Sequence, residues 1–232
     1  DDSILTYLKD NENEQQAVTK CLMNTFERVE NEFKDYAWKL YSKGEGRMAT
    51  VGSCAMVAVI YNDHVYVANL GDSKARLIRF DSKYKEYYSE KLMHRHNSEK
   101  PREKEKLQKM FPNEKDIVIC KRPNGTVCYV KGRLQPTRSL GDFHLKLPEF
   151  NQNNGSNYKK PVSNFTGPYI SAVPEITIYP LDYEVDKFLI MATDGLCDFV
   201  TSSEVVNIVS TKLKSESTPT ANDFLEKVLE NA

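Results

Sequence analysis

The sequence predicts an α+β fold in which antiparallel strands are flanked by helices. Three observations predict it. A long apolar stripe with helical spacing comes first, segments with alternating apolar residues follow, and the capping sequence Thr201-Ser202-Ser203-Glu204 opens an amphipathic helix near the end. No internal repeat and no shift in composition marks a boundary, so we expect one domain over residues 1–232.

The stripe lies in residues 14–41, where apolar side chains recur every three or four positions. They are Val18, Leu22, Phe26, Val29, Phe33, Ala37 and Leu40. This spacing gathers them on one face of a helix, which is therefore expected to pack on a core.

From Gly52 the apolar period changes to two, and the pair Asn62-Asp63 predicts a hairpin turn between two alternating segments. Further strands are predicted at Lys74–Phe80, Tyr84–Leu92, Ile117–Cys120, Thr126–Val130, Glu175–Tyr179 and Phe188–Thr193. We expect antiparallel pairing, with the turn sequence Pro123-Asn124-Gly125 forming a second hairpin. Residues 188–193 are apolar enough to lie at the centre of a sheet.

Three further segments complete the pattern. Glu99–Met110 is rich in charge, which indicates a short exposed helix with a solvated charged face. Glu149–Gly167 is polar and bounded by Gly and Pro, so it is predicted to be an inserted surface loop. Ala221–Glu230 is predicted to be the last helix.

Composition excludes several classes of protein. The chain has 232 residues, is 40% hydrophobic and contains no long apolar stretch, which argues against a membrane span. A net charge of −1 with mixed signs gives no field that would attract nucleic acid or anionic lipid. The five cysteines are odd in number and mostly lie in apolar runs, so we expect packed thiols in a reducing compartment.

Two short acidic turns are the candidates for chemistry. Gly71-Asp72-Ser73 follows one predicted strand, and Asp194-Gly195-Leu196-Cys197-Asp198 follows another. Carboxylates held at rigid strand ends could converge on a hard cation such as Mg²⁺ or Mn²⁺. The alternative is that these aspartates only accept backbone N–H bonds in turns or helix caps.

Other chemistries find little support. His94 and His96 form a possible chelating pair, but their charged neighbours favour a solvated loop over a zinc site. His64 and His144 are predicted to lie at the surface. The sequence contains no Gly-rich nucleotide motif, and no cysteine is followed by an arginine at the spacing of a phosphate-binding loop.

Taken together, four segments resemble the metal-dependent protein phosphatases of type 2C. They are Gly52-Ser53-Cys54-Ala55, residues 67–75 (VANLGDSKA), residues 134–142 (LQPTRSLGD) and residues 192–198 (ATDGLCD). Residues 169–198 are most similar to the pyruvate dehydrogenase phosphatase-like branch. The resemblance implies a four-layer sandwich of two antiparallel β-sheets flanked by α-helices.

The resemblance also implies a reaction and a site. The reaction is Mg²⁺- or Mn²⁺-dependent hydrolysis of phosphoserine or phosphothreonine in a phosphoprotein substrate, by a hydroxide that bridges two metal ions. Asp194 would be catalytic as a ligand of the two-metal centre. Asp72 and Asp198 would help to hold a further, weaker metal ion.

The sequence also departs from the family. It lacks the Asp-Gly-His-Gly-Gly segment and the late Asp-Asn motif, so residues 1–232 are predicted to be an incomplete domain that is inactive alone. Cys54 and Cys197 replace the usual Thr and Trp as packing changes. Two alternatives remain, namely a pseudophosphatase scaffold of the same fold and a structural interaction domain whose acidic turns are caps.

Partners and compartment follow from the same reasoning. We expect a monomer that binds neither nucleic acid nor membrane. Cytoplasm is the default compartment because no targeting segment is visible, and the branch resemblance makes mitochondria the alternative.

Overall fold

The computed structural model describes residues 4–10, 13–121, 127–152, 161–215 and 217–231. Its helices are α1 (Ile4–Asp10), α2 (Glu14–Tyr41), α3 (Pro101–Met110), α4 (Asp194–Cys197), α5 (Ser202–Lys214) and α6 (Ala221–Asn231). Its strands are β1 (Gly52–Ser53), β2 (Ala55–Tyr61), β3 (His64–Leu70), β4 (Lys74–Asp81), β5 (Glu86–Lys91), β6 (Val118–Lys121), β7 (Val127–Val130), β8 (Leu140–Gly141), β9 (Glu175–Pro180) and β10 (Asp186–Ala192). No helix in these ranges has the length and apolar character needed to cross a membrane.

Local signals explain the main elements. The side chain of Asn13 accepts a bond from Gln16 N–H and caps α2, which spans the predicted residues. Asn62 and Asp63 both have positive φ, at 43° and 54°, as a two-residue turn of the primed type requires. The chain therefore reverses tightly between β2 and β3.

The described strands form small sheets. β3 lies between β2 and β9, and β4 lies between β10 and β5 with antiparallel pairing on both sides. Residues 65–70 of β3 are buried on both faces, so this strand is more enclosed than its alternation predicted. Two-stranded pairs join β1 to β8 and β6 to β7; the turn predicted at 123–125 lies outside the described residues.

The chain divides into two compact units, each built from separate stretches of sequence. The first unit comprises Asp1–Val57, Ala68–Gly71 and Arg95–Ile176, and the second comprises Ala58–Val67, Asp72–His94 and Thr177–Ala232. The prediction of a single domain stays a prediction.

Each unit has its own apolar clusters. In the first unit, one cluster is formed by Leu107, Ile117, Val130, Leu145, Val162, Tyr169 and Ile170, and another by Ala37, Tyr41, Ala49, Phe143 and Phe150. In the second unit, α5 packs Val205 and Val209 with Ile78 of β4. Phe188 and Ile190 of β10 pack against the same cluster.

The prediction of a central strand at residues 188–193 is wrong for the described strands. β10 pairs with β4 alone and lies at the end of its sheet, and Met191 is 39% exposed. The apolar character of β10 comes from packing one face against the α5 cluster, since sequence alone does not distinguish burial of a face from pairing at both edges.

Two further predictions need correction. Cys120 and Cys128 are not packed thiols, because the antiparallel register of β6 and β7 makes them direct neighbours and they form a disulfide. In α3 the charged face is only partly solvated, since Glu103 is 3% exposed and accepts a hydrogen bond from Thr137 Oγ1 at 2.5 Å. That hydrogen bond offsets part of the free-energy cost of burying the carboxylate.

The segment predicted as an inserted loop is anchored at its described ends. Phe150 and Val162 are buried, and the Asn151 side chain bonds both the N–H and the C=O of Val162 at 2.7 Å. Residues 153–160 of this segment lie outside the described residues.

Candidate functional site

Asp72 and Asp194 lie at the same end of the β4–β10 pair. Lys74 at the start of β4 is the register partner of Ala192 at the end of β10. Asp72 is two residues before Lys74, and Asp194 is two residues after Ala192. Because the strands are antiparallel, the register brings both aspartates to the same end of this strand pair.

The three predicted ligands differ in exposure. Asp72 is 6% exposed, whereas Asp194 and Asp198 are exposed. Asp194 is the first residue of α4, and its Oδ1 accepts a bond from Gly195 N–H at 2.9 Å. Asp198 N–H donates to Asp194 O at 2.8 Å, so the two aspartates lie one turn apart, at the first residue of α4 and just after its last.

Lys74 connects this helix to the sheet. Its Nζ donates a hydrogen bond to Cys197 O at 2.9 Å. A cation is favourable there because the last carbonyls of a helix lack partners within the helix and carry partial negative charge. Lys74 therefore holds the turn that carries Asp194 and Asp198 against the start of β4.

The carboxylate oxygens at this end of the strand pair are of the kind that Mg²⁺ and Mn²⁺ prefer as ligands. Within the described residues, however, no three His, Cys, Asp or Glu side chains are grouped closely enough to hold a metal ion. The three aspartates therefore do not form a closed set of metal ligands by themselves. Their roles as ligands stay predictions.

Gly71 gives the turn before Asp72 a shape that other residues cannot easily adopt. Its φ is +124°, a value that favours glycine. A Cβ at this position would lie 2.3 Å from Cys54 Sγ and 2.6 Å from Cys54 Cβ. The turn is therefore constrained both by its backbone conformation and by contact with Cys54.

Two histidine predictions are wrong. His96 is 0% exposed and His144 is 5% exposed, and the Nδ1 of His144 lies 2.9 Å from Ala49 O. His94 is exposed, as expected. Polar neighbours in the sequence indicated a loop at the surface, but both rings are buried among residues of the first unit, where each ring has at least one hydrogen-bond partner. Sequence reasoning missed the burial of His96, whose ring accepts a bond from the N–H of Gly71, the residue before Asp72.

Comparison with known proteins identifies the family of this chain. A family model described as "Protein phosphatase 2C" matches residues 2–232. The chain belongs to the protein phosphatase 2C family.

Two curated relatives of this phosphatase 2C chain come from plants. "Probable protein phosphatase 2C 64" of Arabidopsis thaliana is 34% identical over 209 residues, covering 90% of this chain and 51% of the relative. "Probable protein phosphatase 2C 28" of Oryza sativa subsp. japonica is 34% identical over 191 residues, covering 82% of this chain and 47% of the relative. The chain spans about half the length of the curated relatives it matches.

Solved structures support the fold. The serine-threonine phosphatase 2C of Toxoplasma gondii matches with a TM-score of 0.66 at 18% identity, over 93% of this chain and 62% of that one. A Caenorhabditis elegans protein described as a "sex determining protein" matches with a TM-score of 0.61 at 16% identity, over 97% of this chain and 47% of that one. The predicted α+β class with antiparallel sheets and helices is confirmed, as is the resemblance to type 2C phosphatases.

Proposed function

We propose that the full-length protein is a Mg²⁺- or Mn²⁺-dependent phosphatase acting on phosphoserine or phosphothreonine in proteins. The observation that carries the proposal is the family match over residues 2–232, together with the presence of Asp72, Asp194 and Asp198 in the acidic segments of the family. Membership in the family supports a protein phosphatase, and the metal ions and their ligands are part of this proposal.

Each aspartate has a supporting element. Asp72 is held by the constrained Gly71 turn, and Asp194 by its position directly beyond a strand paired with β4. Lys74 holds the α4 turn between Asp194 and Asp198 through its bond to Cys197 O. These three carboxylates would contribute oxygen ligands, with further ligands required to complete the centre.

Bound divalent ions would supply a water nucleophile at neutral pH and would neutralise charge on the phosphoryl oxygens. The residues of this chain would orient the carboxylates that bind these ions. Asp72 is buried behind the constrained Gly71 turn, so little conformational entropy would be lost when its carboxylate binds a cation.

The decisive experiment is a phosphate-release assay on full-length protein with a phosphothreonine peptide. We expect turnover that requires Mn²⁺ or Mg²⁺ and stops when EDTA removes the metal. Folded full-length protein that releases no phosphate at saturating Mn²⁺ would instead favour the pseudophosphatase scaffold. Phosphate release that is equal with and without EDTA would contradict the metal-dependent mechanism.

The remaining assignments belong to the same proposal. The substrate is a phosphoprotein, and we expect the protein to act as a monomer without nucleic acid or membrane. Cytoplasm, with mitochondria as the alternative, stays a prediction of compartment.

A further inference from the structure

The backbone N–H and the backbone C=O of Gly71 are both held by hydrogen bonds. Its N–H donates to His96 Nδ1 at 3.2 Å. Its C=O accepts from His96 N–H at 2.9 Å and from the Asn69 side-chain amide at 3.0 Å. A single residue, His96, therefore contacts both the backbone N–H and the backbone C=O of Gly71, the residue that precedes Asp72.

The bond from Gly71 determines which ring nitrogen of His96 carries the proton. A backbone N–H can only donate, so Nδ1 accepts and the proton of the neutral ring lies on Nε2. Nε2 then donates to Glu175 Oε2, which lies 3.1 Å away. Burial, followed by the positive charge of Arg138, lowers the pKa of His96 and favours this neutral form.

Glu175 is itself held in place by cations. Its Oε1 lies 3.4 Å from Arg102 Nη1, and its Oε2 lies 3.7 Å from Arg138 Nη2. Partial burial opposes ionisation, but the bond from His96 and the charges of Arg102 and Arg138 hold the pKa of Glu175 below its usual value. Glu175 is thus an ionised acceptor that fixes the orientation of the His96 ring.

We propose that His96 is a positioning residue that fixes the backbone of Gly71, and through it the backbone that carries Asp72, while Glu175 orients the His96 ring. All of the contacts involved lie within the first unit. The consequence for metal binding by Asp72 rests on the proposed function. The consequence for the Gly71 backbone does not.

A pair of amide substitutions in the full-length protein tests the proposal. In His96→Asn, the amide oxygen can replace Nδ1 as the acceptor for Gly71 N–H but cannot reach Glu175. In His96→Gln, the longer side chain can reach Glu175 but no longer offers an acceptor at the Nδ1 position. A matched control is His144→Gln, which removes another buried ring, whose Nδ1 contacts Ala49 O.

The first readout is hydrogen exchange at the Gly71 amide, measured by NMR or by mass spectrometry with residue-level fragmentation. Because an exposed or unpaired N–H exchanges faster, we expect His96→Gln to raise the rate at least about fivefold, and His96→Asn to stay closer to wild type. The control should not change exchange at Gly71. Equal protection of Gly71 in wild type and in both His96 variants would overturn the proposal.

The second readout is the Mn²⁺ concentration that gives half-maximal phosphate release. His96→Gln should raise this concentration more than His96→Asn, with a smaller change in turnover at saturating Mn²⁺. An unchanged Mn²⁺ dependence beside faster exchange at Gly71 would overturn the link to Asp72. If wild-type protein releases no phosphate, the proposed function fails, while the exchange measurement still decides the role of His96.

Discussion

Arg79 Nε lies 2.8 Å from Asp186 Oδ1, and this ion pair joins β4 to the first residue of β10. The Asp186 side chain is only 3% exposed, and Arg79 also contacts Glu90 Oε2 at 2.6 Å. A buried carboxylate is costly unless a cation compensates it. Arg79 therefore stabilises the start of the strand whose other end leads to Asp194.

Replacing Arg79 should destabilise the protein strongly. We expect Arg79→Met to lower the free energy of unfolding by about 2 to 4 kcal/mol, because Asp186 would be left buried without its cation. Arg28→Met is the matched control, since Arg28 lies 4.0 Å from Glu32 in an exposed pair and its loss should cost at most about 0.5 kcal/mol. Urea unfolding of both variants measures the difference, and similar losses would contradict the role given to burial.

Glycine can be required by a positive φ or by a close contact that leaves no room for a Cβ, and Gly71 and Gly44 allow the two causes to be tested separately. Both have positive φ, at +124° and +97°, but a Cβ at Gly44 would meet nothing within 4 Å. Gly44→Ala should therefore cost only the backbone strain, about 1 to 2 kcal/mol. Gly71→Ala should cost more, because the new Cβ would collide with Cys54. Thermal unfolding would refute this reasoning if Gly44→Ala proved as destabilising as Gly71→Ala.

Asp194 is the residue with the largest predicted effect on activity. Asp194→Asn in the full-length protein keeps the size of the side chain but removes the charge that a divalent cation needs, so Mn²⁺-dependent phosphate release should be abolished. Asp182→Asn is the control, because Asp182 is also a turn aspartate whose Oδ1 accepts a backbone bond, from Glu184 N–H at 3.0 Å. Near-normal turnover of Asp194→Asn would favour the interpretation of Asp194 as a turn residue.

The capping box of α5 predicts a loss of stability in acid. Hydrogen bonds from the N–H and then the hydroxyl of Thr201, with a further bond from Asn231, lower the pKa of Glu204 to about 2 from its usual 4.5. Because the folded-state pKa is depressed, this contribution is fully present above pH 4.5 and is lost as the pH falls through 2.

Glu204→Gln should therefore weaken the dependence of unfolding free energy on pH between 4.5 and 2. Glu226→Gln on the neighbouring α6 is a control, because Glu226 is exposed and forms no part of the capping box. Chemical denaturation at a series of pH values measures both variants. An identical pH profile for wild type and Glu204→Gln would show that the capping box does not produce the effect.

Sequence reasoning found the acidic turns but not the residues that support them. Asp72 and Asp194 each follow a strand, a relation that is visible along the chain. The contact of His96 with Gly71 was not visible, because the two residues are 25 positions apart and His96 has polar neighbours. Only packing within the first unit places that ring in the interior.

The sequence by itself determined the local elements: the extent of α2, the turn at Asn62-Asp63 and the capping box at Thr201. These depend on spacing, turn residues and caps that act over a few neighbouring positions. Tertiary structure alone decided that β10 lies at the end of its sheet, that Cys120 faces Cys128, and that His96 is buried. Each of these outcomes depends on which distant segment packs or pairs beside the residue, and that choice is made by the sum of many weak contacts across the fold.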